Sequence, residues 1–263
     1  DHRDLHSFPT RRSSDLDSVL LTGQNMDKGL VRQIINLTQT TSASYLLLSS
    51  LDLSRRNLAL RGKECFDKVV EMAEYAREEI NRIGGYYAYG RELVDGVNVF
   101  DYDVTKLCIY TRNIGLTGIE VYDLLRDEYD IQIEFGDLGS IMAYISIGDR
   151  LRDIERLVGA LEDIKRLYAK DGSNLACVDF IEPEVVKSPK QSFYAEKVSM
   201  PLSKSAGNVC GEFVMCYPPG IPILAPGELI TDEIIEHIVF SKEKGCSLQG
   251  AADPDVENIR VLK

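Results

Sequence analysis

The sequence predicts an α/β chain, a sheet covered by helices, followed by a separate C-terminal module. Three observations predict it. Between Lys106 and about Lys170 the segments run strand, helix, strand, strand, helix, an order in which helices lie against one sheet. Upstream of Gly84-Gly85 the apolar residues recur at i, i+3, i+4, which is helical spacing. Beyond Lys170 the stretch DGSNLACVDFIEPEVVKSPKQS is irregular and carries two prolines, the texture of a boundary.

The elements follow in order. Ser18-Val19-Leu20-Leu21 suits a short buried strand. Asp27 is placed to cap a helix to about Asn36, with Leu30, Val31, Ile34 and Ile35 on its apolar face. After QTTSASY, the segment LLLSSLDLSRRNLAL has the apolar and small residues of a well-buried helix. A further helix is expected after Gly62. Cys65, Phe66, Val69, Val70, Ala73, Ala76, Ile80 and Ile83 form its apolar stripe, and Lys63, Glu64, Asp67, Lys68, Glu71 and Glu74 its solvated face. Gly84-Gly85 ends it.

In the layer, KLCIYTR reads as a strand and Thr117 to Asp130 as a helix. IQIEF alternates with period two, and SIMAYISI is a further strand. Asp149 is expected to cap a long helix with Leu151, Ile154, Leu157, Val158, Leu161, Ile164 and Leu167 on one face. The C-terminal module holds GEFVMCYPPGIPILAPGELI, a capped helix from near Thr231 and a final strand NIRVLK.

Composition bounds the function. The 263 residues allow one large domain or two to three small ones, and 44% apolar residues suffice for real cores. A net charge of −12 without a basic stripe argues against a nucleic-acid partner. No apolar run of about 18 residues predicts a membrane span, and the opening DHRDLHSFPTRRSSDL has no secretory h-region. Cys65, Cys108, Cys177, Cys210, Cys216 and Cys246 are scattered with no CxxC pair, which reads as reduced thiols in the cytoplasm. Outside the first sixteen residues His237 is the only histidine, so no metal site is expected.

Three stretches have the residue types for chemistry. QTTSASY places hydroxyls just before a helix. From this stretch alone they read first as helix capping, with a phosphate cradle as the alternative. Tyr217-Pro218-Pro219-Gly220-Ile221-Pro222 is stiff, extended chain, followed by a Pro226-Gly227-Glu228 turn. It reads as a rigid connection between strands, or as a preformed wall with one carboxylate aimed into a cleft. Glu134 and Asp137 in EFGD could pair, but at a strand end they read as a solvated turn. No dinucleotide, P-loop or nucleophile-elbow motif is present.

Taken together, LTQTTSASYLLLSSLDLSRR, KLCIYTRNIGLTG, SPKQSFYAEKVSMPLSKSAGNVCGEFVMCYPPGIPILAPGE and LQGAADPDVENIRVL resemble the pyridoxal-phosphate-dependent Orn/Lys/Arg decarboxylases of the aspartate-aminotransferase fold. The resemblance runs from Asp17 to Lys263, and the proline-rich stretch is its most specific part. SPKQSFYAEK is similar to the short bacterial biosynthetic arginine decarboxylases. Two positions depart from the family pattern: Ala43 stands where Pro is usual, and Lys190 where Arg is usual. The implied fold is the C-terminal part of a fold-type I pyridoxal-phosphate enzyme. Residues 17–82 would be a remnant of the large cofactor domain, 83–170 a small α/β domain and 171–263 the C-terminal α+β domain.

The implied reaction is α-decarboxylation of a basic amino acid, with arginine, giving agmatine for polyamine biosynthesis, favoured over lysine or ornithine. The cofactor would be pyridoxal 5′-phosphate, which takes the electrons left when CO₂ departs. By the resemblance, Thr40 and Ser42 contact cofactor phosphate and substrate in a neighbouring subunit. Glu228 meets the cationic end of the substrate, and the enzyme is a homodimer or a multiple of one. A non-catalytic module derived from a decarboxylase, and an aminotransferase of the same fold, are the alternatives. The family's Schiff-base lysine lies in a Ser-x-His-Lys stretch about nine residues before the position of Ser18. No lysine occurs before Lys28 here, so the chain is expected to lack it and to be inactive alone. Asp1 to Leu16 match, residue for residue, the translation of a common sequencing-adapter DNA, and are expected to be foreign to the fold.

Overall fold

The computed structural model describes residues 23–39, 42, 44–170, 181–217 and 220–263. The expected strand at Ser18–Leu21, Cys177 and the first sixteen residues lie outside the described residues.

Helix α1 (Lys28–Thr38) begins as its sequence predicts. The Asp27 carboxylate accepts from Gly29 N at 2.8 Å and Leu30 N at 3.2 Å, satisfying two amides that the helix itself cannot pair. The next two predicted helices are one: α2 runs without a break over 39 residues, Tyr45–Ile83. Gly62 does not interrupt it, since a mid-helix glycine costs only about 1 kcal/mol. The expectation of a well-buried first half is also corrected. Leu46, Leu48, Leu53, Leu58 and Leu60 are exposed, and burial starts at Val69 with Ala73, Ala76 and Ile80. Gly84, at φ 72°, ends the helix, and Lys165 Nζ donates to the Ile83 carbonyl at 2.6 Å.

The buried end of α2 packs on a four-stranded antiparallel sheet in the order β1-β2-β4-β3. Its strands are β1 (Tyr87–Ala88), β2 (Lys106–Tyr110), β3 (Phe135–Gly136) and β4 (Ser140–Tyr144). Leu107 lies opposite Ala143 and Ile109 opposite Ile141. Those four are buried, so alternation puts one sheet face into the core and leaves Lys106, Cys108 and Tyr110 on the other. IQIEF contributes only Phe135 to the ladder; Ile131 and Ile133 are buried without being strand. Helix α3 (Gly118–Asp127) starts in a full capping box. Thr117 N donates to Glu120 at 2.8 Å, and Glu120 N to the Thr117 hydroxyl at 3.2 Å.

Helix α4 (Leu151–Tyr168) completes the layer through Ile154, Leu157, Leu161 and Ile164. Asp149 is not its cap. Its carboxylate accepts from Ser146 N at 2.6 Å in the preceding turn, and Arg150 is the cap, its amide donating to Asp153 at 3.1 Å. Two groups lock the layer from inside. Tyr86 donates to the Leu161 carbonyl at 2.9 Å, and burial pushes its phenol pKa up. Buried Arg77 donates to the carbonyls of Tyr89 at 2.6 Å and Val104 at 3.0 Å, and to Glu74 at 2.8 Å.

The C-terminal residues build a second core from Leu202, Cys210, Val214, Leu224, Ile230, Ile234, Ile238, Ile259 and Val261. A short helix α5 (Pro189–Tyr194) precedes strand β5 (Lys197–Pro201), which pairs with the last strand, β9 (Asn258–Leu262). Strands β6 (Val214–Tyr217), β7 (Ile221–Leu224) and β8 (Ser247–Gln249) form a second sheet in the order β7-β6-β8. Helix α6 (Asp232–Glu243) is capped as expected by Thr231, whose hydroxyl accepts from Ile234 N at 3.3 Å.

Candidate functional site

The site is built from the stretch between β6 and α6. The proline-rich segment is a hairpin connection, as its stiffness suggests. β6 and β7 pair antiparallel, with a bulge between Val214 and Met215, and Gly220 N donates to the Cys216 carbonyl at 2.9 Å. Pro218 and Pro219 lie outside the described residues. Pro222 stands on the outer strand β7, where a missing N–H costs no ladder bond.

Beyond β7 the chain turns through Ala225-Pro226-Gly227-Glu228. Glu228 N donates to the Ala225 carbonyl at 3.2 Å, and Gly227 has φ 102°. Proline at the second position and a positive-φ glycine at the third are what a type II turn requires. Gly227 also meets neighbouring backbone. A Cβ there would lie 2.1 Å from the Lys187 carbonyl oxygen. The Gly227 carbonyl accepts from Val186 N at 2.9 Å and Lys187 N at 3.0 Å. The segment before α5 is therefore laced to the turn, and α5 is itself fixed by a Ser188–Gln191 capping box.

This lacing positions Glu228. One of its carboxylate oxygens accepts from Ala225 N at 2.7 Å, and its backbone carbonyl accepts from Cys210 N at 2.7 Å. The side chain is half-buried. A carboxylate held by one oxygen keeps the other for a cation. Cys210, buried beneath it, donates to the Glu212 carbonyl at 3.0 Å, and burial pushes its thiol up to about 11. It is an inert core thiol.

Of the two hydroxyl residues singled out in the sequence, Thr40 lies outside the described residues and Ser42 is exposed, ahead of α2. Ser44 is the N-cap of α2 but makes no side-chain cap hydrogen bond. The capping reading is thus not realised by the Ser44 side chain. Asp137, weighed as half of a carboxylate pair, is a turn residue that accepts from Gly139 N at 2.8 Å and Ser140 N at 2.7 Å.

Sequence reading missed Glu212, whose two oxygens accept from Arg260 N at 2.8 Å and Ala252 N at 2.9 Å. It clamps distant segments beside the turn. Its partners lie 40 and 48 residues away, and no local pattern marks them. Among the described residues no helix is long and apolar enough to cross a membrane.

Comparison with known proteins gives one answer. Residues 177–253 match the family model for the Orn/Lys/Arg decarboxylase C-terminal domain. The chain is 38% identical over 247 residues to an arginine decarboxylase of Halalkalibacterium halodurans, covering 91% of this chain and 50% of that protein. It is 37% identical over the same length to an arginine decarboxylase of Bacillus subtilis, again with 91% and 50% coverage. The lysine decarboxylase of Francisella novicida superposes with a TM-score of 0.70 at 17% identity, over 91% of this chain and 46% of that one. The last match shows the fold: mixed α/β, as expected of the C-terminal part of such an enzyme. The chain spans about half the length of the curated relatives it matches.

Proposed function

The chain belongs to the Orn/Lys/Arg decarboxylase family, whose C-terminal domain it carries at residues 177–253, and on that premise we propose that it acts in the α-decarboxylation of a basic amino acid, arginine before lysine or ornithine. The observation that carries the reading is Glu228. Its carboxylate is fixed by a rigid turn through one oxygen, which suits it to receive the guanidinium of arginine. Identity of 35–38% to arginine decarboxylases over 91% of the chain supports the choice of arginine.

Pyridoxal 5′-phosphate is the cofactor of this reading, and the residues present fit its phosphate end. Ser42 is exposed ahead of a long helix whose first-turn amides are not taken by the Ser44 side chain. Hydroxyls at a helix N-terminus hold a phosphate dianion through N–H and O–H donors and the helix dipole. Ser42, with Thr40, would hold that group in the site of a neighbouring subunit. When bound, the cofactor supplies an electron sink for the bond that breaks. The part of this chain is positional. Glu228 would fix the far end of the substrate and so its reach towards the cofactor, and α2 would hold the hydroxyls. The exposed leucines of α2 suit a homodimer or a multiple of one, and the enzyme would work in the cytoplasm.

Release of CO₂ from carboxyl-labelled arginine, lysine and ornithine, measured on the complete gene product with pyridoxal 5′-phosphate, tests the proposal. Arginine is expected to be turned over fastest. Activity confined to lysine or ornithine overturns the substrate assignment, and activity on none of them overturns the reaction.

A further inference from the structure

The thiols of Cys216 and Cys246 face one another. In the register of β6 and β8, Cys216 lies opposite Leu248 and Tyr217 opposite Ser247. Cys246 directly precedes Ser247, so alternation places Cys246 and Leu248 on the same face of the sheet as Cys216. The two cysteines are diagonal cross-strand neighbours, and their side chains lie near enough to act on one another electrostatically. Ser241 of α6 lies against them, fully buried, and its carbonyl accepts from Cys246 N at 3.0 Å. The Ser241 hydroxyl is the one buried side-chain oxygen or nitrogen among the described residues that makes no hydrogen bond of good geometry. It sits within reach of the Cys216 sulfur. A buried unpaired hydroxyl costs about 1–3 kcal/mol and calls for an explanation.

We infer that Cys216 and Cys246 are a redox pair, in which a hydroperoxide oxidises Cys216 and Cys246 then closes an intramolecular disulfide. The two thiols are unequal in the way this needs. The neighbouring Cys246 thiol lowers the Cys216 pKa against burial and the Asp137 carboxylate. The Cys246 pKa is pushed up, first by the neighbouring Cys216 side chain and then by burial. Cys216 is half-buried and Cys246 buried, so the attacking sulfur is the more accessible one.

The chemistry balances. The Cys216 thiolate attacks an oxygen of the hydroperoxide; an S–O bond forms, the O–O bond breaks, and the departing alkoxide or hydroxide takes a proton. Cys216 is oxidised by two electrons to a sulfenic acid, and the peroxide is reduced. The Cys246 sulfur then attacks the sulfenic sulfur. The S–S bond forms, the S–O bond breaks, and the leaving hydroxide departs as water with the Cys246 proton. Closure would pin β6 to β8 at the base of the hairpin that leads to Glu228. The inference rests on the cysteine geometry and stands apart from the decarboxylase reading.

The reduced chain is titrated with hydrogen peroxide, free thiols are blocked with iodoacetamide, and tryptic peptides are mapped with fragmentation. The expected product joins the peptide of Cys216 to that of Cys246, with Cys210 alkylated and two hydrogens lost. In Cys246→Ser, dimedone should label Cys216. A crosslink from Cys210 instead, or dimedone trapping at Cys246 in Cys216→Ser but none at Cys216 in Cys246→Ser, overturns the assignment. So does a chain in which Cys65 is oxidised while the two peptides remain unlinked. The wild-type map requires no variant, so a poorly folded substitution leaves the test intact.

Discussion

Ala225 and Glu228 are tied twice. The Glu228 amide reaches the Ala225 carbonyl at 3.2 Å, and the Ala225 amide reaches the Glu228 carboxylate at 2.7 Å. The carboxylate of the proposed site is therefore part of the turn that presents it. Its position depends on Pro226 and Gly227 as much as on its own rotamer.

Gly227→Ala should be among the most damaging single changes in the C-terminal core. It meets both a φ of 102° and the Lys187 carbonyl at 2.1 Å. A loss of about 2–4 kcal/mol is expected from backbone strain plus the forced shift. Gly207→Ala is the control. Its φ is 79° but no atom lies within 4 Å of the added carbon, so about 1 kcal/mol is expected. Urea denaturation of the two variants separates clash from conformation.

Glu228→Gln keeps an oxygen for the Ala225 amide and removes only the charge. Folding stability should move by less than about 1 kcal/mol. In the complete enzyme, kcat/KM for arginine should fall roughly tenfold to a hundredfold, the worth of one charge-assisted contact. An unchanged kcat/KM would exclude Glu228 from the substrate site.

Arg77→Met should destabilise the sheet layer by about 3–5 kcal/mol. It strips the partner from the Tyr89 and Val104 carbonyls and leaves Glu74 without its ion pair. Loss of the buried sheet protection in amide exchange, while the C-terminal core keeps its own, is the expected signature.

His237 gives a pH dependence of known sign. Burial lowers its pKa in the folded chain, whereas the unfolded imidazole titrates near about 6.5. The unfolded state therefore binds more protons between those two values, and stability rises with pH across that window. Its contribution is complete above about pH 6.5 and is lost as pH falls towards the folded value. Unfolding curves of wild type and His237→Gln should converge at neutral pH and part on acidification, with the variant less sensitive to acid.

The features legible in the sequence were those settled within one turn of chain. Asp27 and Thr231 cap as expected because a cap needs only its own oxygen and an amide two or three residues on. Gly84 stops α2 for an equally local reason. Asp149 failed because Ser146 N competes for the same carboxylate. The break at Gly62 failed because local propensity is weaker than a continuous helical ladder. For the site, the Pro-Gly-Glu turn could be read from residue order alone. The Glu212 clamp and the Cys216–Cys246–Ser241 cluster could not, since each joins residues tens of positions apart through sheet register.

The unbroken α2 makes a ruler. From Tyr45 to Val69, where burial begins, an α-helix advances roughly 36 Å at its fixed rise per residue. With no glycine hinge or proline kink realised in that span, Ser44 at the N-cap is set at constant reach from the sheet layer that anchors the other end. Adding or deleting a single residue in the exposed half would both shift that reach and swing Ser44 about 100° around the helix axis. Length and phase in this segment are locked together, so substitutions here should be far better tolerated than insertions.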